Sequence, residues 1–391
     1  MTKHNFLFYC CYFAPGYETG AIRPTKLAKY FYKYKQNIIV LTQTSINEKN
    51  KVLLDGVENL EIHRNPVIRK LFINDKGFWF SIQTFNKLKE LILKNKIEFL
   101  FVSGPPFTPY LTSYYLAKKY NLKLIIDYRD LWYGDPYKIV SIKDLILRLI
   151  GRLVEKKIMK FAHKVIFVSK NMLNDQEQIY GKLNNAEIIS TGIDREDKNY
   201  LNKEIYLNFL KENNLDKKIK IFCYLGTLDD TKCVEDFFFL LSKLPKNLNT
   251  KILFIGNNKF PNWKFKKYDI DDLIIFKNSI NSSLVKNIIK FSNGSIILGG
   301  YEMQRLNRKV FENLYFTNNI FFLGSKNSPS YRIMKECKID TLCHEDLSIK
   351  DRFDYLKLFI KKINSLKKHP IQLEPYFKDN LAKNYLELIS R

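Results

Sequence analysis

In this 391-residue chain, the densest chemistry stands where an apolar run, 122–126, meets Asp127-Tyr-Arg-Asp-Leu-Trp132. Two carboxylates, a guanidinium and an indole crowd a strand end, and open parallel sheets bind ligands outside the carboxyl ends of their strands. The spacing therefore predicts a site with Asp127, Arg129 and Asp130 as its ionisable groups. The alternative is a structural Arg129–Asp130 ion pair capping the next helix over a packed Trp132. A second constellation is Lys309 and Glu312, three apart and on one helix face. A cation near a helix start can meet a phosphate, and a carboxylate one turn on can accept two ribose hydroxyls; a surface ion pair is the alternative. A third is Gly20, in the turn Ala14-Pro-Gly-Tyr-Glu-Thr-Gly-Ala-Ile-Arg-Pro24. A glycine there lets a ligand approach the backbone, and amides at a helix start favour an anion. Otherwise Gly20 is a turn glycine and Arg23 a solvated side chain.

These residues need a frame that alternates strands with helices. Apolar runs at 5–13, 38–42, 99–103, 122–127, 165–169 and 186–190 are separated by helical patterns at 21–35, 79–94, 109–120 and 142–161. That alternation predicts a doubly wound parallel sheet. After a polar stretch at 194–220 it restarts, with strands expected at 219–225, 251–255, 273–276, 295–298, 320–323 and 340–343. The expectation is an α/β chain of two Rossmann-like domains facing a cleft. The first spans 1–195 and the second 196–375, and 376–391 forms an amphipathic helix with Leu381, Tyr385, Leu386, Leu388 and Ile389 on its apolar face.

Composition narrows the partners. No apolar run reaches the roughly 18 residues of a membrane span, and the start runs into a strand without a small-residue cleavage site, so a cytosolic location is expected. Six cysteines without a Cys-x-x-Cys pair and five scattered histidines suggest no zinc site and no disulfide framework. The net charge of +25 invites an anionic partner. Since 53 of the 65 basic residues are lysine, in a chain rich in Asn, Ile, Tyr and Phe, part of that charge reflects an AT-rich genome. The helical pattern 142–161 carries Leu145, Ile146, Leu149, Ile150, Leu153 and Ile158 among Arg148, Arg152, Lys156, Lys157 and Lys160. It reads either as a helix lying on an anionic membrane or as one packing on its own sheet.

The Asp-x-Arg-Asp-x-Trp strand end, preceded by Ser103-Gly-Pro-Pro-Phe107, resembles bacterial glycosyltransferases of family 4, which use nucleotide-sugar donors. Further matches follow in order. His163-Lys-Val-Ile-Phe-Val-Ser169 resembles the family's strand ending in Val-Ser. Ile188-Ile-Ser-Thr-Gly-Ile-Asp194 resembles its Asn-Gly-x-Asp turn with Thr191 for the Asn. Tyr224-Leu-Gly-Thr-Leu228 through Lys232 resembles its donor-domain glycine loop, with Thr227 in the usual Arg position. Leu298-Gly-Gly-Tyr-Glu302 leading to Lys309-Val-Phe-Glu312 resembles its donor-binding segment without the usual Gly-Phe-Gly.

The resemblance implies a GT-B fold with the last helix crossing back to the first domain. It implies a retaining transfer of sugar from a nucleotide diphosphate to a glycan or lipid-linked glycan acceptor of the cell envelope. Gly20, Gly226, Lys232, Arg308 and Lys309 would hold the donor diphosphate, and Glu312 and Glu302 the ribose and sugar. Arg23 and Trp132 would lie on the acceptor side. Asp127, Asp130 and Arg129 would orient hydroxyls and stabilise charge at the reacting centre, the departing phosphate oxygen itself taking the acceptor's proton. No cofactor and no metal are expected, because the leaving-group charge would meet Lys232, Arg308, Lys309 and a helix amino terminus. An anionic membrane face is a further expected partner. A non-catalytic nucleotide- or glycan-binding protein of the same fold is the first alternative. A nucleic-acid binder is the second, with no recognised motif to support it.

Overall fold

A computed structural model describes residues 2–16, 18–44, 55–68, 75–136, 142–246, 248–260, 266–300, 306–362 and 371–389. The chain divides into two compact units, Met1–Thr191 with Lys378–Arg391, and Gly192–Phe377.

Among the described residues the first unit is built on seven parallel strands. They are β1 (Asn5–Tyr9), β2 (Asn37–Gln43), β3 (Glu61–Asn65), β4 (Phe99–Gly104), β5 (Lys123–Tyr128), β6 (Lys164–Phe167) and β7 (Ala186–Ile188), in the order β3-β2-β1-β4-β5-β6-β7. The central strands are apolar along their length, as a parallel sheet buried on both faces requires; every residue of β4 is buried. Its helices are α1 (Thr19–Lys33), α2 (Lys76–Lys94), α3 (Thr108–Tyr120), α4 (Ile142–Phe161) and α5 (Lys170–Tyr180). One core packs Leu7, Leu100, Leu116, Ile126 and Met159 on one face. The other packs Phe6, Phe8, Phe31, Phe101 and Tyr385. The strand β3, Glu-Ile-His-Arg-Asn, lies outside every expected run. It is an edge strand, half-exposed and polar, and its lack of an apolar pattern is what hid it.

Among its described residues the second unit carries six parallel strands, β8 (Lys220–Leu225), β9 (Thr250–Ile255), β10 (Ile274–Lys277), β11 (Gly294–Leu298), β12 (Ile320–Leu323) and β13 (Leu342–Cys343), ordered β10-β9-β8-β11-β12-β13. Its helices are α6 (Lys203–Glu212), α7 (Val234–Ser242), α8 (Ser282–Phe291), α9 (Lys309–Phe316), α10 (Pro329–Glu336) and α11 (Ile349–Lys361). The final helix, α12 (Lys378–Ile389), belongs to the first unit and packs along α1.

Polar punctuation sets the boundaries. Ser169, Asn281, Ser328 and Ser348 each accept a backbone N–H at a helix start. Ser169, the last residue of the Val-Ser segment, is thus a cap. In each sheet the strand order reverses once, between β1 and β4 and between β8 and β11. Such switch points open a crevice at the carboxyl ends of the strands. The described residues there are 10–16, 18 and 105–107 in the first unit, and 226–233, 299–300 and 306–308 in the second. All six cysteines are buried free thiols.

Candidate active site

At the first switch point the end of β5 is buried, and this corrects the expected role of its first carboxylate. Asp127 has no exposed surface. Arg23 reaches it from α1, its Nε donating to both Oδ1 at 2.9 Å and Oδ2 at 3.0 Å and its Nη2 lying 2.8 Å from Oδ1. Ser103 Oγ donates to Oδ2 at 2.8 Å, and Tyr110 OH donates to the Asp127 backbone carbonyl at 2.8 Å. Arg23 also donates to the carbonyls of Ser190 from Nη1, 2.6 Å, and Ile189 from Nη2, 2.9 Å. Burial works against its charge, but Asp127 beside it outweighs that and raises its pKa. Both members of the pair are therefore internal. Arg23 is neither a solvated residue nor an acceptor contact, and Asp127 holds β5, α1 and the 189–190 turn together instead of facing a substrate.

Arg129 and Gly20 do meet. A Cβ on Gly20 would lie 2.8 Å from Arg129 Nη1 and 2.9 Å from Tyr12 Cδ2. The glycine is needed so that the guanidinium can reach the first turn of α1, whose N-cap residue Glu18 supplies no side-chain cap. Arg129 is aimed there by Ser103, which accepts from its Nε at 3.2 Å, and by the Pro105 carbonyl. Positive charge and uncapped amides thus converge at one point, which suits an anion. Ser103 links the two arginines' partners, a role hidden in the Ser-Gly-Pro-Pro-Phe motif. The loop before α1 is fixed by Ala14 N–H donating to Thr25 Oγ1 at 2.9 Å and by Arg64 Nη2 donating to the Ala14 carbonyl at 2.6 Å. Asp130 is exposed. The expected Arg129–Asp130 cap is replaced by the Arg129 contacts just given. Trp132 is half-buried, stacked on Phe107 with centroids 5.6 Å apart and edge-on to Tyr110 at 6.0 Å.

Behind Trp132 stands a carboxylate that the motifs do not contain. Glu155, on α4 and fully buried, accepts from Tyr128 OH at 2.9 Å, Tyr180 OH at 2.5 Å and the amides of Tyr133 and Gly134 at 3.1 Å each. Desolvation raises its pKa against those four donors. From the same helix Arg148 and Arg152 each donate to the Tyr133 carbonyl at 3.2 Å. Gly151 leaves room for the Tyr133 ring. A lone acid on the buried face of α4, between Gly151 and Ile158, is the only trace of this clamp in the sequence.

In the second unit the glycine loop after β8 turns on Gly226, φ +148°, against Gly256, φ +141°, whose missing Cβ would overlap the Gly226 carbonyl. Lys232 is half-buried and bends back to the Thr227 carbonyl, to Tyr224 OH at 3.2 Å and toward Asp229 at 3.6 Å. Burial lowers its pKa, with Asp229 opposing. The Cys233 N–H donates to the Gly299 carbonyl at 2.9 Å, tying this loop to the end of β11. At the start of α9, Lys309 Nζ donates to Glu312 Oε2 at 2.8 Å and Arg308 Nη2 lies 3.8 Å from Oε1. Burial alone would push the Glu312 pKa up, but Lys309, Arg308 and Lys286 pull it down to about 2. Lys286 is itself locked to Asp197 at 2.6 Å. The structure thus joins Lys309, Glu312 and Arg308 as an ion-paired group that leaves the two basic side chains partly exposed. Glu302 lies outside the described residues. Among those residues no group of three or more His, Cys, Asp or Glu side chains is placed to hold a metal ion.

Residues 27–197 match the model of Glycosyltransferase Family 4. No curated protein sequence matches the chain. A glycosyltransferase from Rickettsia africae ESF-5 superposes with a TM-score of 0.72 at 14% identity, covering 100% of this chain and 98% of that one. The Anabaena HepE protein in complex with UDP and glucose gives 0.70 at 10% identity, over 99% and 100%. WaaG, a glycosyltransferase involved in lipopolysaccharide biosynthesis, gives 0.64 at 13%, over 97% and 95%. The fold shared with these proteins is GT-B.

Proposed function

We propose that this GT-B chain, similar to Glycosyltransferase Family 4 over residues 27–197, is a retaining glycosyltransferase. It moves a sugar from a nucleotide diphosphate onto a cell-envelope glycan precursor at the cytoplasmic face of the inner membrane. The observation that carries the reading is the Lys309–Glu312–Arg308 group at the start of α9. A carboxylate held ionised down to about pH 2 is a standing acceptor for vicinal ribose hydroxyls, and the adjacent cations suit a diphosphate. Lys232, held in the loop after β8 by the Thr227 carbonyl and Tyr224 OH, would neutralise the leaving group without a metal. In the first unit, Arg129 with the amides at Gly20 supplies a second anion-binding point, and Trp132 with exposed Asp130 would border the acceptor.

Support for donor binding also comes from HepE, whose structure holds UDP and glucose. Thr227 standing where the family carries Arg favours a second reading, a nucleotide-binding protein without turnover. A thermal-shift panel of UDP, GDP, dTDP and ADP sugars tests the first part, since a ligand bound only by the native state raises the melting temperature. Incubation of the responding donor with lipid-linked acceptors, and NMR of the product's anomeric proton, tests transfer and retention. A donor that binds without turnover on any acceptor would favour the second reading, and no response in the panel would overturn both.

A further inference from the structure

Helix α4 has two faces with different partners. Gly151, Glu155, Ile158 and Met159 are buried against the first unit. Leu145, Ile146, Leu149, Ile150 and Leu153 point outward and are 50% to 70% exposed. Their spacing of one, three, one and three places them on one stripe. Of the six apolar residues read along this helix, Ile158 packs on the first unit's own sheet and the other five do not. Farther along, the stripe continues into exposed Lys157, Lys160 and Phe161. Helix α3 lies alongside through the Tyr114–Phe161 ring contact, 5.1 Å between centroids. It adds Leu111 and Tyr115, and Lys118 and Lys119, all exposed. Between 145 and 161 the only carboxylate is Glu155, which is buried.

We propose that this face of α4 and α3 docks the protein on an anionic lipid surface. The Leu and Ile side chains would enter the boundary between headgroups and acyl chains, while the lysines meet the headgroup phosphates. Exposed apolar residues are ordinary when scattered; a continuous stripe bordered by cations is not. Charge also selects against a second copy as the occupant. A two-fold contact through this face would set Lys157 and Lys160 against like charges in a chain of net charge +25. Among the described residues no helix is long and apolar enough to cross a membrane, so the helix lies on the surface. Its inner side clamps the Tyr133–Gly134 loop through Glu155, Arg148 and Arg152, so docking brings the Trp132 segment to the lipid. That last consequence rests on the transfer reading above; docking itself does not.

Flotation of the full chain tests it, with phosphatidylcholine vesicles alone and with vesicles containing about one third phosphatidylglycerol. The protein should float only with the anionic vesicles and lose binding as salt rises. Ile146→Gln, Ile150→Gln and Leu153→Gln together should lower partitioning by roughly tenfold or more, and Lys157→Gln with Lys160→Gln should remove much of the salt dependence. The apolar triple variant should keep the wild-type thermal shift with the donor panel. Floating without any donor response would leave docking intact and remove the transfer reading. Indifference to anionic vesicles at low salt, or a triple variant that binds like wild type, would overturn the proposal. So would sedimentation showing a wild-type dimer that the triple variant converts to monomer.

Discussion

Asp127 and Glu312 are both acids among arginines and lysines, yet they occupy opposite situations. Asp127 is sealed, with Arg23 and Ser103 occupying its oxygens, so removing its charge leaves a buried guanidinium without a counterion. Asp127→Asn should cost about 3–5 kcal/mol of stability, the scale of a broken buried ion pair, measured by urea unfolding; wild-type stability would show that the pair is expendable. Glu312 keeps a little accessible surface and is held ionised by cations. Glu312→Gln should weaken binding of the responding nucleotide by about 1–3 kcal/mol, the scale of a lost charged hydrogen bond, and calorimetry at unchanged affinity would remove it from the site. Its folded pKa, about 2, lies below the unfolded value. The ionised form therefore stabilises the fold fully above that unfolded value, and the contribution is lost as pH falls toward 2. Acid unfolding of Glu312→Gln should correspondingly be shallower over this window. The residue types announced both acids as interesting. Only burial and partners separated the structural one from the candidate ligand.

Helices and loops set those partners. Helix α4 looks inward through Glu155 and grips the loop that carries Trp132. In Glu155→Ala the amides of Tyr133 and Gly134 and two tyrosine hydroxyls lose their acceptor, each buried orphan costing about 1–3 kcal/mol. Amide exchange at Tyr133 and Gly134 should speed up markedly in that variant and much less in Glu155→Gln, which keeps an acceptor oxygen. Equal exchange in Glu155→Ala and wild type would mean that Arg148 and Arg152 hold the loop by themselves. The turn after β8 depends on a second close approach, Gly256 beneath Gly226. Gly256→Ala adds a methyl against the Gly226 carbonyl at a φ that L-residues rarely adopt. It should displace the Lys232 loop and lower donor affinity along with thermal stability, read together in the thermal-shift panel.

For the whole molecule, the path of the chain matters more than any one contact. The first unit is discontinuous, because α12 returns to cover α1, with Tyr385 buried at ring-centroid distances of 5.7 Å from Phe31 and 6.0 Å from Phe101. Deleting 378–391 should uncover this aromatic patch, leaving a poorly soluble protein that binds ANS; a soluble, cooperatively folding truncation would show the helix to be dispensable. Much of this architecture was legible beforehand. Apolar runs such as 99–103 and 122–127 announce buried parallel strands because both of their faces need apolar side chains, whereas the polar edge strand β3 needs none and left no mark. Alternating runs with helical patterns determined two parallel α/β units, and Gly226 and the Lys309–Glu312 spacing determined where a turn and a charged pair would fall, because these depend on neighbours a few residues apart. Tertiary structure alone decided that Arg23 neutralises Asp127 across 104 positions, that Gly20 admits Arg129, and that the apolar stripe of α4 faces outward. Periodicity shows that a helix has an apolar face, but what lies against that face is settled by elements distant in the chain.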